Sequence, residues 1–160
     1  MSHESSGKSD EWYTPAYIFD ALRVRFDMDV TPARHGESFV PSDQDLIGCG
    51  LAEKWNGFVW MNPPFGGRNG LIPWLEKFIA HGNGIALTPD RTSAPWWQRC
   101  AQNTDGVLFI SPKVKFIRPN GTTGDSPANG TTLFAVGSKA VLALREGARL
   151  GTLFENKERP

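Results

Sequence analysis

A chain of 160 residues with 39% apolar and 21% charged side chains is most simply one globular domain with a sizeable core. Its 17 basic and 17 acidic residues cancel, so bulk charge gives no support for a polyanionic partner. No apolar run approaches the length of a membrane span, and Met1-Ser2-His3-Glu4 lacks a signal-peptide pattern. Cys49 and Cys100 make neither a metal spacing nor a disulfide framework, so a cytoplasmic protein with free thiols is expected.

The charge is unevenly spread. Residues 1–59 carry ten acids and five bases, residues 60–118 three acids and seven bases, and residues 119–160 four acids and five bases. That distribution suits a cationic small molecule near the front and phosphates further back. A dipolar surface without functional meaning fits it equally well.

In chain order, residues 1–10 are small and polar and are expected to be a disordered tail. Thr14-Pro15 predicts a helix start, Thr as cap and Pro in the first turn, with Ile18, Phe19 and Leu22 on one face and an end near Arg25. Phe26–Val30 reads as a short strand, Ser38–Val40 as a second, and Asp43–Glu53 as a polar stretch able to hold a short helix, with Trp55 an anchor beyond it. Phe58–Met61 is an apolar run typical of a buried strand. A helix over 70–81 is followed by a strand at Gly84–Thr88 and a helix at Ser93–Gln102. Gly106–Ile110 is a strand, Lys113–Ile117 another, residues 119–131 a loop, Thr132–Val136 a strand and Lys139–Arg145 a closing helix. The alternation predicts an α/β fold with an open sheet, parallel at least in its centre. One domain is expected over residues 11–150, with 151–160 a C-terminal tail.

In such sheets ligands bind at the carboxyl ends of the strands. Asp29, Asn62, Thr88-Pro89-Asp90 and Ser111-Pro112 all follow predicted strands. Among them, Asn62-Pro63-Pro64-Phe65 carries the most chemistry. Its prolines stiffen the turn and leave carbonyls outside helix bonding. Asn62 adds a side-chain oxygen and Phe65 a flat apolar face, a pairing suited to a planar heterocycle bearing an amino group. The competing reading is a Pro-Pro turn that merely ends a strand.

The tetrapeptide matches the [Asp/Asn/Ser]-Pro-Pro-[Tyr/Phe/Trp] pattern of amino-group methyltransferases. With Asp10-Glu11-Trp12-Tyr13-Thr14-Pro15, Phe26-Asp27-Met28-Asp29-Val30, Trp60-Met61 before the tetrapeptide and Gly66 after it, and Ser126-Pro127-Ala128-Asn129-Gly130-Thr131 before Leu133-Phe134-Ala135, the chain resembles the phage-type, Dam-like DNA N6-adenine methyltransferases from about Asp10 to Gly137. The resemblance implies a minimal Rossmann-like methyltransferase fold with a mostly parallel central sheet, S-adenosylmethionine as cofactor, a flipped adenine in DNA as substrate, and a phage or prophage origin. It implies a catalytic group of Asn62, Pro63, Pro64 and Phe65, and cofactor contacts from Trp12, Thr14, Pro15, Asp29 and Asp45. Asp43 competes with Asp45 for the last role. Val30-Thr31-Pro32-Ala33 departs from the family pattern by lacking a glycine-rich turn after Asp29.

Lys113, Lys115 and Arg118 form an alternating basic run suited to phosphate contacts, and Arg91 either meets a phosphate or caps a helix. Trp96-Trp97 reads as core or interface. His3, His35 and His81 have no metal-ligand spacing, and no metal is expected. Two further readings stay open: amide or amino methylation on protein glutamine or RNA, and a catalytically silent DNA-binding module. The target sequence is left open: short, relaxed, or read by loops 66–70 and 119–131.

Overall fold

In a computed structural model that describes residues 11–65 and 70–157, seven strands form one sheet in the order β2-β1-β3-β4-β6-β5-β7. The elements are α1 (Ala16–Leu22), β1 (Phe26–Asp29), β2 (Ser42–Asp45), β3 (Val59–Met61), α2 (Ile72–His81), β4 (Gly84–Pro89), α3 (Pro95–Gln102), β5 (Gly106–Ile110), β6 (Thr131–Val136), α4 (Ser138–Glu146), a 3-10 turn at Ala148–Leu150 and β7 (Gly151–Glu155). Strands β2, β1, β3 and β4 are mutually parallel. Strand β6 runs antiparallel to both β4 and β5, and β7 antiparallel to β5. The sheet is therefore mixed, parallel at one end and antiparallel at the other.

Two apolar clusters cover its two faces, and the period-2 alternation of the strands assigns residues between them. Trp60, Ile85, Leu87, Leu108 and Leu133 share one cluster with Ile18 and Leu22 of α1 and Leu144 of α4. Val59, Met61, Ala86, Val107 and Phe134 share the other with Phe78 of α2 and Trp97 of α3. Burial on both faces is why these strands are apolar throughout. On the first face Phe26 stacks on Phe58, ring centroids 4.9 Å apart, and Phe19 meets Trp60 edge-on at 4.8 Å. Such pairs add roughly 0.5–1.5 kcal/mol each beyond area burial.

Several expectations need correction. Thr14 does not cap α1: Pro15 holds the N-cap position, and no side-chain cap bond forms. The helix ends at Leu22, because Arg23 turns left-handed at φ 51° and its N–H closes on the Phe19 carbonyl. No strand forms at 38–40. The second strand is instead Ser42–Asp45, where a helix was expected to begin. That strand lies at the sheet edge and is largely exposed, so it carries no apolar signature. Residues 113–117 form no ladder strand, although Ile117 makes isolated bridges to Tyr13 and Thr123. The expected tail from residue 151 is β7 through Glu155, paired along β5. The expected tail at 1–10 and most of loop 66–70 lie outside the described residues.

The parallel end sets the place for a ligand. From β1 the chain continues to β2 on one side and then to β3 on the other, so the strand order reverses at the β1–β3 boundary. A crevice opens at the carboxyl ends of strands at such a reversal.

Candidate active site

A cavity of about 580 Å³ lies at that boundary, within the usual range for small-ligand sites. Its walls come from three segments: 11–14 ahead of α1, 29–40 after β1, and 60–65 at the end of β3, with Leu46, Gly48, Gly50 and Trp74 completing it. Trp12, Thr14, Asp29, Asn62, Pro63, Pro64 and Phe65 all line it. Pro15, Asp45, Arg91, Lys113, Lys115 and Arg118 do not.

Asn62 is held at both its backbone and its side chain. Its backbone N–H donates to Thr31 Oγ1 at 2.8 Å. Its Nδ2 donates to the Trp12 carbonyl and to Thr14 Oγ1, each at 3.2 Å. A main-chain carbonyl can only accept, so the amide nitrogen must face Trp12. No hydrogen bond among the described residues uses Oδ1 of Asn62. Pro63 is buried, whereas Phe65 keeps 44% of its surface exposed. The site therefore offers an acceptor oxygen, proline carbonyls and an open aromatic face together.

Asp29 ends β1 and is 1% exposed. Its Oδ1 accepts from Thr31 N at 2.9 Å and Thr31 Oγ1 at 3.3 Å, a turn closed by the aspartate side chain at the end of β1. Burial, with a smaller contribution from the Asp45 charge, pushes its pKa from 3.8 up to about 7. A buried acid poised near neutrality is suited to a cationic ligand group. Asp45 is its direct neighbour across the β1–β2 ladder and accepts from Ser42 Oγ at 3.2 Å. Asp43 is ion-paired with Arg25.

At another wall Tyr13 donates its hydroxyl to Glu11 Oε2 and accepts from His35 N at 3.1 Å, and His35 Nδ1 lies 3.3 Å from the same carboxylate oxygen. Burial pushes the Glu11 carboxyl upward, but the hydrogen bond from Tyr13 and the approach of His35 together hold it below its usual range. Trp74 forms a further wall. It stacks on Trp55, whose indole N–H donates to Gly50 O at 2.7 Å, and Lys77 Nζ donates to the Gly50 and Leu51 carbonyls at 2.9 and 3.1 Å. The sequence reading missed Thr31, Tyr13 and Trp74 as site residues. Only Thr31 left a local signal, an Asp-x-Thr turn.

The basic residues behave differently from a simple phosphate row. Lys113 and Lys115 are exposed on either side of buried Val114, so they share a face without being in a strand. Lys113 Nζ donates to Ala128 O at 2.9 Å. Arg118 donates to Thr123 O at 2.7 Å and its guanidinium lies 5.7 Å from the Trp12 ring centroid, so it braces the 118–123 turn against the cavity rim. Trp97 is buried and stacked on Phe109, a core role. Among the described residues no cluster of three or more His, Cys, Asp or Glu side chains is placed to hold a metal, and no helix is long and apolar enough to cross a membrane.

A mixed α/β sheet with a cavity at its order reversal, walled by an Asn-Pro-Pro-Phe turn and a buried strand-end acid, defines a class of site able to hold a nucleoside-sized ligand beside an amino-group acceptor. The family model described as DNA N-6-adenine-methyltransferase (Dam) matches residues 1–143, and the chain belongs to that family. Methyl transfer to adenine N6 in DNA is the activity the family carries, with DNA as substrate. No curated protein and no solved structure matches the chain.

Proposed function

We propose that this chain is a site-specific DNA methyltransferase that moves a methyl group from S-adenosylmethionine to N6 of adenine. The observation that carries the reading is the state of Asn62: its amide nitrogen is committed to Trp12 and Thr14, while its oxygen is left to accept at the cavity.

The donor set of the cavity fits the cofactor. Asp29 supplies a buried carboxylate for its cationic amino-acid end, Trp12, Trp74 and Leu46 supply aromatic and apolar wall, and the volume admits a nucleoside. Asp45, beside Leu46, is the acid proposed for the nucleoside end, and Pro15 acts by setting the start of α1. When bound, S-adenosylmethionine supplies an electrophilic sulfonium methyl.

The chain's own groups prepare the amine. An adenine N6 lone pair is delocalised into the ring and is a poor nucleophile. Asn62 Oδ1 and the Pro63 carbonyl each accept one N6–H, which favours a pyramidal nitrogen and stabilises the positive charge that grows there in the transition state. Pro63 and Pro64 keep these acceptors rigid, so little reorganisation is needed. Phe65 stacks on the base, which must leave the duplex to reach it. A nitrogen carrying that charge is acidic and loses its proton without a strong base. Lys113 and Lys115 are exposed and are assigned to phosphates, as is Arg91. Arg118 contributes by bracing the rim.

Membership of a DNA adenine family weighs against the protein and RNA alternatives. The resemblance to phage-type enzymes supports a phage or prophage origin and action in the bacterial cytoplasm. The test is transfer of labelled methyl from S-adenosylmethionine to unmethylated DNA. Label should appear as N6-methyladenine, resist alkali and vanish in Asn62→Ala. Label in cytosine or in protein, with none in adenine, would overturn the proposal.

A further inference from the structure

The family resemblance makes Thr14 a cofactor contact, but its hydroxyl oxygen is already engaged. Thr14 is 3% exposed, and Oγ1 accepts from Asn62 Nδ2. Thr31, from a different segment, accepts the Asn62 backbone N–H and directs its own proton toward Asp29 Oδ1. These two hydroxyls grip one residue from two sides. The Trp12 carbonyl, which can only accept, fixes which end of the amide points inward, and Thr14 Oγ1 gives Nδ2 a second anchor that holds the side chain in place. Were the amide reversed, Oδ1 would face the Trp12 carbonyl, acceptor against acceptor, and both Nδ2 bonds would be lost. Thr31 fixes the height of the Asn62 backbone, and hence of the Pro63 carbonyl one residue on. Each of the two acceptors assigned to the amine is thus anchored by one threonine, with the Trp12 carbonyl choosing the amide's orientation.

We propose that Thr14 and Thr31 are positioning residues that lock Asn62 with its oxygen turned to the substrate, Thr14 serving Asn62 rather than the cofactor. This rests on the reading of Asn62 as the N6 acceptor. A threonine that merely filled space would be replaced by valine, its near-isostere, without loss. A threonine that bound the cofactor would show its loss in cofactor affinity. A positioning threonine shows it in turnover.

The experiment compares Thr14→Val, Thr14→Ser, Thr31→Val and Thr31→Ser in the full chain. Calorimetry gives the Kd for S-adenosylmethionine, and labelled methyl transfer at saturation gives kcat and KM for DNA. Losing one neutral hydrogen bond to Asn62 should lower kcat roughly three- to tenfold. Thr14→Val should do so with Kd changed less than about twofold, and Thr14→Ser should recover most of the rate. A second readout needs no turnover: the Asn62 side-chain NH₂ signal in a nitrogen–proton correlation spectrum, assigned by its loss in Asn62→Ala. It should shift in Thr14→Val and return in Thr14→Ser, and the Asn62 backbone amide should exchange faster in Thr31→Val. If Thr14→Val weakens S-adenosylmethionine binding while kcat and the NH₂ signal stay put, the positioning role is wrong. If the wild-type chain methylates no DNA, the catalytic reading fails separately, and the spectra alone decide whether the grip on Asn62 exists.

Discussion

Replacing Asp29 by asparagine tests the electrostatics of the cavity. Asp29 is buried, accepts from Thr31, and has its pKa raised from 3.8 to about 7. An acid whose folded pKa lies above its unfolded value favours folding most at low pH. That contribution fades as pH rises from about 4 and is gone above about 7, where the carboxylate is ionised in both states. At about 1.4 kcal/mol per pKa unit, the roughly three-unit displacement corresponds to about 4 kcal/mol. The amide introduced by Asp29→Asn would keep an oxygen for Thr31 and carry no charge, so the variant should gain stability relative to wild type by up to about 4 kcal/mol between pH 4 and 8. Urea melts of both proteins across that range, without ligand, give the difference directly. A difference that stays constant with pH would refute the argument. The same acid should bind a cation best when ionised. S-adenosylmethionine affinity should therefore weaken about fivefold from pH 7 to pH 6, where its amino group stays mostly charged, in wild type and change little in Asp29→Asn.

Asn62→Asp should be a poor substitute despite its shape. A carboxylate oxygen would replace the Nδ2 that donates to the Trp12 carbonyl at 3.2 Å. Expected are a stability loss of about 1 kcal/mol in urea melts at pH 8 and a kcat at least about tenfold lower. Wild-type values for both would contradict the bonding described. Gly50→Ala should cost about 1–3 kcal/mol in thermal or urea melts, because a Cβ there would lie 2.4 Å from the Trp74 ring and 2.7 Å from the Val30 carbonyl. Native protein treated with a thiol reagent at pH 8 should label at Cys49, which is exposed. Cys100 should stay unreacted until unfolding, since burial holds its thiol up at about 12. Two rapidly reacting thiols in the native state would count against the packing of α3.

The strands Val59–Met61, Gly84–Pro89, Gly106–Ile110 and Thr131–Val136 were legible because both their faces are buried, which forces an apolar run. Edge strands lack that pressure. Ser-Asp-Gln-Asp at β2 pairs through its backbone and exposes its side chains, so nothing in its residue types announces a strand. Gly151–Glu155 hid for the same reason, its residues half buried or exposed at the far edge. Lys113–Ile117 shows the converse: the alternation is real, but among the described residues it pairs only through the isolated bridges of Ile117.

The sequence by itself determined the chemistry: an amide, two prolines and an aromatic ring after a buried strand, and an acid at the end of another. These are local properties of covalent order and residue type. Tertiary structure decided how that chemistry is aimed. The partners of the Asn62 side chain lie 48 and 50 residues upstream, and the acceptor of its backbone N–H lies 31 upstream. No pattern along the chain encodes which end of an amide faces inward. Only the return of three segments to the β1–β3 boundary gives Nδ2 its acceptors, and leaves Oδ1 without a hydrogen bond among the described residues.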